Sequence, residues 1–350
     1  MIMNMPKKVI ITGVTGQDGS YMADYLIENT DYEIFGMIRR ASTNNYHNIQ
    51  HLINNSRFKV ITGDLTDSQS IDNIVRDIKP DYFINLAAQS FVGASWQIPE
   101  QTFDIDAIGV IRCLEAIRKH VPNCRFYNAG SSEELGNVDY SPQDEEHPLK
   151  PRSPYGAAKA SARHIVKVYR ESYNLFAIQG LLYNHESPRR GEEFVTRKIS
   201  KQVAKIKNAL VLNSEVEPLE LGNIYSQRDW SHAKDFVKGI WLMLNNKSPK
   251  EFILASGEAF TVKNFIEKAF SVVKIYGDWY DSGLKERFIS SDGITLVKIN
   301  PNFYRPAEVD LLLGDPSRAK LELKWRPEIT FNDLVKEMVI SDLKNINLTL

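Results

Sequence analysis

Short apolar runs alternate, in the first half of the chain, with longer segments in which apolar residues recur every three or four positions. Runs of the first kind predict buried strands, and segments of the second kind predict amphipathic helices. The predicted strands cover residues 8–12, 33–38, 58–62, 82–86, 125–129 and 175–180, and the predicted helices cover residues 18–28, 68–78, 100–119 and 154–173. This alternation predicts an α/β fold, with a doubly wound parallel sheet covered by helices on both faces.

The regular alternation stops near residue 183. Beyond it, the pattern predicts helices over 194–207, 229–245, 261–273 and from 331 onward, a returning strand over 251–256 and a surface loop over 277–292. A chain of 350 residues is long enough for two lobes. We expect a dinucleotide-binding domain over residues 1–183, to which 222–256 returns, and a smaller, interleaved C-terminal substrate lobe over 184–221 and 257–350.

The composition, with 43% hydrophobic and 25% charged residues, is typical of an ordinary globular protein in water. A formal net charge of -1 gives no electrostatic reason to expect nucleic acid or an anionic membrane as a partner. The first residues lack the layout of a signal peptide, and no apolar stretch approaches the ~18–20 residues that cross a bilayer. We therefore expect a cytoplasmic protein. Cys113 and Cys124 form neither a metal-spacing motif nor a disulfide framework, so no metal site is predicted.

A glycine-rich turn over residues 12–19 follows the first predicted strand and precedes the first predicted helix. Glycines at such a turn let the backbone approach a pyrophosphate, and the helix start supplies N–H donors and partial positive charge. In this context Gly13, Gly16 and Gly19 predict a dinucleotide site. The alternative is a glycine-rich turn that binds nothing.

The ends of the next strands carry further candidates for this site. Arg39 and Arg40 follow the second strand, where an NAD site commonly has an acidic residue, and arginines there would pair with a 2′-phosphate. This indicates NADP, with a solvated basic turn as the alternative. Asp64 follows the third strand, where it can meet the adenine edge, and small residues over 86–90 follow the fourth.

Ser131 and Glu133 follow the fifth strand, and Tyr155 and Lys159 lie four positions apart in the helix that comes next. That spacing places the phenol and the ammonium on one helix face. A neighbouring Lys⁺ favours the phenolate, and work near neutral pH needs a drop of about 3 units from a reference pKa of ~10. Ser131 and Glu133 add a second acid/base pair that a plain dehydrogenase does not need. Taken alone, Ser-Ser-Glu after a strand also fits helix or turn capping.

The polar segment 184–191 concentrates donors and charges, including Asn184, His185 and Arg190. Three cations further along the chain are chemically suited to binding a diphosphate, namely Lys198, Arg228 and Arg305. The alternative for each of them is an ordinary cation on the protein surface. His185, taken alone, is more often structural than catalytic.

Together these residues resemble the GDP-mannose 4,6-dehydratases, a family of the extended short-chain dehydrogenase/reductase superfamily. The similarity runs from about residue 8 to residue 338, and its most specific segments are 11–21, 151–159, 184–191, 194–199 and 304–310. The resemblance implies a Rossmann-type fold, NADP as cofactor and a GDP-sugar, with GDP-mannose first, as substrate. It also implies a homo-oligomer, either a tetramer or a dimer, with segment 39–45 reaching a neighbouring subunit.

The resemblance further implies a redox-neutral reaction. Tyr155, aided by Lys159, would take the C4 hydroxyl proton while NADP takes the C4 hydride. Glu133 would then remove the C5 proton, and Glu133 or Ser131 would help the C6 hydroxyl leave before the hydride returns to C6. The residues implied for NADP are Gly13, Thr15, Gly16, Gln17, Asp18, Gly19, Arg39, Asp64, Leu65, Leu86, Ala87, Ala88, Gln89, Ser90, Tyr155, Lys159, His185 and Arg190. Those implied for the nucleotide sugar are Ser90, Ser131, Glu133, Asn184, Lys198, Arg228, Arg305 and Glu308.

The chain departs from the family's usual residues at Gly130, at Glu134 with Leu135, and at Gln101. A charge at Glu134 is expected to reshape the pocket around C6. Action on a GDP-heptose or another GDP-hexose therefore stays open. A sugar-nucleotide epimerase or reductase of the same fold, which has no use for Glu133, also stays open, as does a sensor that binds without turnover.

Overall fold

In the computed structural model, which describes residues 6–43, 45–136, 138–304 and 309–348, the centre of the fold is a parallel sheet of seven strands. The strands of the described residues are β1 (Lys8–Thr12), β2 (Glu33–Ile38), β3 (Phe58–Thr62), β4 (Tyr82–Asn85), β5 (Arg125–Ala129), β6 (Ala177–Leu182), β7 (Asn184–Glu186), β8 (Leu219–Leu221), β9 (Gln227–Arg228), β10 (Trp230–His232), β11 (Ile253–Leu254), β12 (Phe260–Thr261), β13 (Gly277–Tyr280), β14 (Arg287–Ser290), β15 (Thr295–Ile299) and β16 (Leu311–Leu312). The sheet order is β3-β2-β1-β4-β5-β6-β11, and every adjacent pair is parallel. The predicted doubly wound parallel sheet is confirmed.

Helices cover both faces of this sheet because successive side chains of each strand point to opposite sides. The α-helices are α1 (Gln17–Asn29), α2 (Ser68–Ile78), α3 (Val92–Ser95), α4 (Pro99–Phe103), α5 (Gly109–His120), α6 (Pro154–Tyr173), α7 (Val195–Val211), α8 (Ala233–Leu244), α9 (Val262–Val272) and α10 (Phe331–Asn345). Val9 and Ile11 pack in one apolar core with α1 and α8, whereas Ile10 packs in another with α2, α5 and α6.

A separate apolar core lies among α7, α9, α10 and the strands β8, β14 and β15. These strands belong to a four-stranded sheet in the order β13-β14-β15-β8. Thr330 accepts a hydrogen bond from the backbone N–H of Asp333, so the helix start expected there is capped as its sequence predicts.

Three predictions of local structure are wrong. Segment 277–292 is not a loop, because β13 and β14 form an antiparallel hairpin whose Trp279 and Phe288 rings lie 5.1 Å apart. The helix expected over 229–245 begins only at Ala233, because Trp230–His232 pairs with β7. The helix expected over 100–119 is interrupted by a π-helical segment, Asp104–Ile108, between α4 and α5.

The remaining elements differ from their predicted bounds by only a few residues at their ends. Within the ranges that the structure describes, no helix has the length and apolar character that a bilayer-spanning segment needs.

Candidate active site

A cavity of about 680 Å³ opens beside the ends of β5 and β6. The carboxyl edge of a parallel sheet is where open α/β folds bind ligands, and the volume suits a small-molecule site. Its walls carry residues from the sheet region and from the later part of the chain. They include Ser131, Glu133, Tyr155, Asn184, Lys198 and Arg228. The strand ends therefore bring widely separated sequence motifs to one place.

The glycine-rich turn has the shape that a pyrophosphate site requires. Gly13 has φ +65°, and a Cβ at this position would lie 2.8 Å from the Ala87 backbone nitrogen. A Cβ at Gly19 would lie 2.3 Å from the Gly13 carbonyl oxygen, so the first turn of α1 packs directly on the strand end. Gly16 donates its N–H to the same carbonyl at 2.9 Å. Bare backbone at a helix start fits a dinucleotide phosphate.

The side chains that follow this turn hold segment 184–187 against it. Gln17 donates its amide to the His185 carbonyl at 3.0 Å and accepts the Ser187 hydroxyl at 2.7 Å. Asp18 lies 2.8 Å from His185 Nε2, and His185 stacks on Phe236 with ring centroids 4.4 Å apart. Because these side chains satisfy one another, a cofactor contact at Gln17 would come from its main chain.

Charge attraction sets the titration of the Asp18–His185 pair. Burial alone would raise the pKa of Asp18, but the charge and hydrogen bond of His185, helped by Arg190, lower it. Burial alone would lower the pKa of His185, and the Asp18 carboxylate raises it instead. The two groups thus stabilise each other's charged forms.

The strand ends expected to meet the adenosine lie side by side, because β3, β2, β1 and β4 are neighbours. Arg39 is exposed just after β2. Asp64 already accepts the backbone N–H and hydroxyl of Thr66, at 2.9 and 2.8 Å. Leu65 is buried in the core, so only its main chain is suited to contacting a base.

The segment after β4 is anchored at both its ends. The backbone N–H groups of Leu86 and Ala87 both donate to the Thr12 hydroxyl at 3.0 Å. Ala88 and Ser90 line the cavity, whereas Gln89 donates its backbone N–H to Asp106 at 2.8 Å.

The start of α6 places Tyr155 and Lys159. Ser153 caps the helix by accepting the Gly156 N–H at 3.0 Å, and Pro154 occupies its first position. Lys159 Nζ lies 5.8 Å from the Tyr155 ring centroid and donates to the Ala129 carbonyl at 2.9 Å. Both side chains line the cavity beside Glu133.

The pKa of Tyr155 is raised, not lowered, in the chain by itself. Burial is the main cause, and the carboxylates of Asp106, Glu133 and Glu134 add to it, while hydrogen bonding with Ser131 opposes it. Low-dielectric surroundings disfavour the phenolate, so the Lys159 ammonium does not by itself bring the phenol towards ionisation. Additional positive charge at the site is needed to activate this group.

Asp106 is a buried acid of this region that the sequence patterns did not single out. It lies in the π-helical segment, and its Oδ1 accepts the Gln89 N–H while its Oδ2 is buried without a hydrogen-bond partner among the described residues. Burial raises the pKa of Asp106 to about 6, against the opposing charge of Lys159. The sequence pattern of 100–119 is that of one uninterrupted helix, so it does not distinguish Asp106 from its neighbours. Only the π-helical segment, a feature common at functional sites, distinguishes it in the structure.

Ser131 and Glu134 cap a short 3-10 turn, Ser132–Glu134, and leave Glu133 facing the cavity. Ser131 Oγ accepts the Glu133 N–H at 3.2 Å, and Glu134 Oε1 accepts the Ser131 N–H at 2.8 Å. Capping therefore explains Ser131 and Glu134 but makes no use of the Glu133 carboxylate. A Cβ at Gly156 would lie 2.5 Å from the Glu133 carbonyl, so α6 packs directly on this turn.

The charge of Glu134 does not act on the pocket by entering it. Glu134 is fully buried and does not line the cavity, because its carboxylate is turned into the sheet. Leu135 is likewise fully buried, and Gln101 is exposed away from the cavity walls. Of the departures, only Gly130 lines the cavity.

Cations of the later segments also line the cavity. Arg190 Nε lies 3.0 Å from Glu186, and its guanidinium is 3.5 Å from the Phe194 ring centroid. Lys198 Nζ lies 3.8 Å from the Phe303 ring centroid, and burial lowers its pKa.

Of the three further residues expected near the nucleotide, the structure describes only Arg228. Arg228 is 7% exposed, lines the cavity and donates to the Gln227 carbonyl at 2.9 Å. Arg305 and Glu308 lie outside the described residues.

The sequence matches a family model described as GDP-mannose 4,6 dehydratase over residues 10–338. A GDP-mannose 4,6 dehydratase of Drosophila melanogaster is 46% identical over 347 residues, which cover 97% of this chain and 86% of the relative. The human and Vibrio cholerae proteins of the same name are each 44% identical, and cover 98% and 97% of this chain and 93% and 95% of their own.

Solved structures share the fold at lower identity. A UDP-glucose 4-epimerase of Thermotoga maritima has a TM-score of 0.80 at 22% identity, covering 97% of this chain and 99% of its own. A dTDP-glucose 4,6-dehydratase of Bacillus anthracis in complex with NAD has a TM-score of 0.78 at 20% identity, covering 97% and 98%. The nearly complete match to the family model and to relatives more than 40% identical shows that this chain belongs to the GDP-mannose 4,6-dehydratase family.

Proposed function

We propose that the protein binds a nicotinamide dinucleotide and dehydrates GDP-mannose to GDP-4-keto-6-deoxymannose. The observation that carries this proposal is the position of Glu133, which lines the same cavity as Tyr155 and Lys159 although capping does not need it. A dehydrogenase or reductase uses only the Tyr–Lys pair. A second, uncommitted carboxylate beside that pair is what an elimination requires.

Tyr155 acts first, as the base for the sugar C4 hydroxyl. When bound, the nicotinamide supplies a reversible hydride exchange, which oxidises C4 at the start and reduces C6 at the end. Its positive charge and the Lys159 ammonium together oppose the burial that raises the Tyr155 pKa. Lys159 is held for this role by the Ala129 carbonyl.

Glu133 acts next, on the proton of C5, which a C4 ketone makes acidic. The carboxylate takes this proton, and the electron pair expels the C6 hydroxyl as water. Glu133, now protonated, or the Ser131 hydroxyl gives the proton that the leaving hydroxyl needs. A proton also returns to C5 as the hydride reaches C6, which balances the proton that Tyr155 took from the C4 hydroxyl. The sugar has then lost one water, and the cofactor ends in its starting oxidation state.

We propose NADP as the dinucleotide. Arg39 is exposed at the end of β2, where it can pair with a 2′-phosphate through charge-assisted hydrogen bonds. The cofactor set otherwise stays as expected from the sequence, with main-chain contacts at Gln17 and Leu65.

We propose that Asn184, Lys198 and Arg228, which line the cavity, bind the nucleotide end of the sugar. Arg305 and Glu308 complete this set. The division into a dinucleotide domain (1–183 with 222–256) and a sugar-nucleotide lobe (184–221 and 257–350) stays a prediction. So do the homo-oligomer and the cytoplasmic location.

Replacing Glu133 with Gln tests the function. Loss of a general acid/base lowers turnover by about 10²–10⁴-fold, so loss of one water mass from GDP-mannose should nearly stop. Reduction of the bound cofactor by GDP-mannose should persist, because Tyr155 and Lys159 are intact. Tyr155→Phe is the matched variant, in which both steps should stop.

Unchanged turnover in Glu133→Gln would contradict the proposal and favour an epimerase or reductase. Net accumulation of reduced cofactor by the unaltered protein would contradict it as well.

A further inference from the structure

A row of buried polar side chains crosses the sheet from the glycine-rich turn to the Ser131 turn. The hydrogen bonds run from Thr12 Oγ1 to Asn85 Oδ1 at 2.6 Å, from Asn85 Nδ2 to Asn128 Oδ1 at 2.7 Å, from Asn128 Nδ2 to Gln179 Oε1 at 2.7 Å, and from Gln179 Nε2 to Glu134 Oε1 at 2.8 Å. All five side chains are at most 2% exposed. One residue each comes from β1, β4, β5 and β6, and the row ends on the 3-10 turn that carries Glu133.

The direction of this row is fixed at its start. Thr12 Oγ1 accepts the backbone N–H groups of Leu86 and Ala87, which occupies both of its lone pairs. Its own hydrogen must therefore donate onward to Asn85. Each amide then accepts with its oxygen and donates with its nitrogen, so the last group has to be an acceptor. A carboxylate oxygen is a pure acceptor, and Glu134 provides it.

Glu134 Oε1 has a second donor, the Ser131 backbone N–H at 2.8 Å. Gln179 also donates to the Lys159 carbonyl at 2.9 Å, so the same amide holds the helix turn of the catalytic lysine. The carboxylate therefore joins the two segments on which the proposed acid/base groups stand.

Gly130 provides the space that this carboxylate occupies. A Cβ at position 130 would lie 2.6 Å from Glu134 Oε1 and 2.5 Å from the Gly180 carbonyl oxygen. Gly130 and Glu134 are both departures from the family's usual residues, and this contact makes them one structural feature and not two separate ones.

The other carboxylate oxygen, Oε2, is buried without a hydrogen-bond partner among the described residues. Charged and titratable groups that face Glu134 come from α6, namely Arg163, Lys159 and Tyr155, and from β5, namely Tyr127. Burial is the largest influence on the Glu134 pKa and raises it to about 7. The hydrogen bonds from Ser131 and Gln179 to Oε1 offset part of this burial cost.

We propose that Glu134 is a positioning residue, whose carboxylate ends the directional hydrogen-bond row, fixes the Ser131 turn and thereby aims Glu133 and Ser131 at the reacting carbons, with Gly130 as its necessary partner. The catalytic part of this inference rests on the proposed function of Glu133; the structural part does not.

Three variants test it, with kcat and KM for GDP-mannose and the cofactor Kd measured in each. Glu134→Gln keeps an oxygen for both donors, so kcat should stay within about fivefold. Glu134→Leu leaves the Ser131 N–H and one N–H of the Gln179 amide without an acceptor, so kcat should fall about 10–100-fold, because displacement of a catalytic group by ~1 Å costs up to ~10²-fold. KM and the cofactor Kd should change less than about threefold, since Glu134 does not line the cavity.

The third variant, Gly130→Ser combined with Glu134→Leu, puts a hydroxyl near the lost carboxylate oxygen. Gly130→Ser alone should lower kcat because its Cβ contacts both the Glu134 carboxylate and the Gly180 carbonyl oxygen. Glu134→Leu removes the first contact and not the second, so the loss of kcat in the double variant should be at least tenfold smaller than the product of the two single losses. Losses that simply multiply in the double variant would overturn the pairing. A kcat for Glu134→Leu equal to that of the unaltered protein would overturn the positioning role.

Hydrogen exchange of the Ser131 amide gives a readout that needs no turnover. Protection should fall at least tenfold in Glu134→Leu and remain in Glu134→Gln; equal protection in all variants would refute the proposal. If the unaltered protein fails to dehydrate GDP-mannose but this protection pattern holds, the proposed function fails and the structural role of Glu134 stands.

Discussion

Gly156→Ala isolates the effect of moving Glu133 without changing any polar group. A Cβ at Gly156 would lie 2.5 Å from the Glu133 carbonyl oxygen. Carbon–oxygen contacts settle near ~3.3 Å, so the Glu133 backbone has to move by about 0.8 Å. Displacement on this scale costs about 10–100-fold in rate, or roughly 1.4–2.7 kcal/mol in the barrier.

The same substitution should leave the protein folded. Crowding of packed atoms costs about 1–3 kcal/mol, but replacing glycine with alanine in a helix returns up to ~1 kcal/mol. The net destabilisation is therefore about 0–3 kcal/mol, which is smaller than the ~5–15 kcal/mol free energy of unfolding of a typical protein.

The assay compares kcat for water loss from GDP-mannose with the rate of cofactor reduction in a single turnover. The elimination should slow, while C4 oxidation, which depends on Tyr155 and Lys159, should change less. Ser161→Ala is the matched control, because its hydroxyl bonds to the Ala157 carbonyl within α6. A Gly156→Ala enzyme that eliminates water within twofold of the unaltered rate would refute the link between this contact and the position of Glu133.

Two further substitutions have defined outcomes. Asp18→Asn should lower the thermal midpoint of unfolding more at pH 6 than at pH 9. The raised pKa of His185 contributes stability below about pH 6.5 that is lost as the pH rises through the folded value, whereas the lowered pKa of Asp18 contributes stability above about pH 4. Equal losses at both pH values would contradict the ion pair. Arg39→Glu should weaken NADP binding by about 10–100-fold, because a hydrogen bond to a charged group contributes ~1.5–3 kcal/mol, and should leave NAD binding within about threefold. Calorimetric titration with both dinucleotides measures the two affinities. An equal loss of affinity for both would refute the 2′-phosphate contact.

Local sequence patterns were sufficient to predict the bounds of those helices and strands whose ends are set by neighbouring residues. β1, β2, β3 and α2 have the predicted bounds because apolar runs and helical periodicity end at clear caps and turns. The strand Trp230–His232 was missed because its pairing partner, β7, lies more than 40 residues away in the sequence. The β13–β14 hairpin was missed because its segment is rich in residues that are typical of turns.

The site shows the same division. Ser131, Glu133, Tyr155 and Lys159 reach one cavity because they follow the strands of one sheet edge, which a parallel topology makes predictable. The burial of Asp106 and Glu134 was not predictable from the sequence. The π-helical segment decides which way Asp106 points, and the absence of a side chain at Gly130 leaves the space that the Glu134 carboxylate occupies.

The hydrogen bond between the Gln17 and Ser187 side chains restricts which substitutions can accumulate at the glycine-rich turn. A change at Gln17 must be matched at a contact 170 positions further along the chain, so this part of the cofactor turn resists single substitutions. Arg39 is exposed after β2, and among the described residues its side chain forms no hydrogen bond or ion pair. If Arg39 binds the 2′-phosphate as proposed, preference between the two dinucleotides can change or be engineered at this position while the glycine-rich turn stays unaltered.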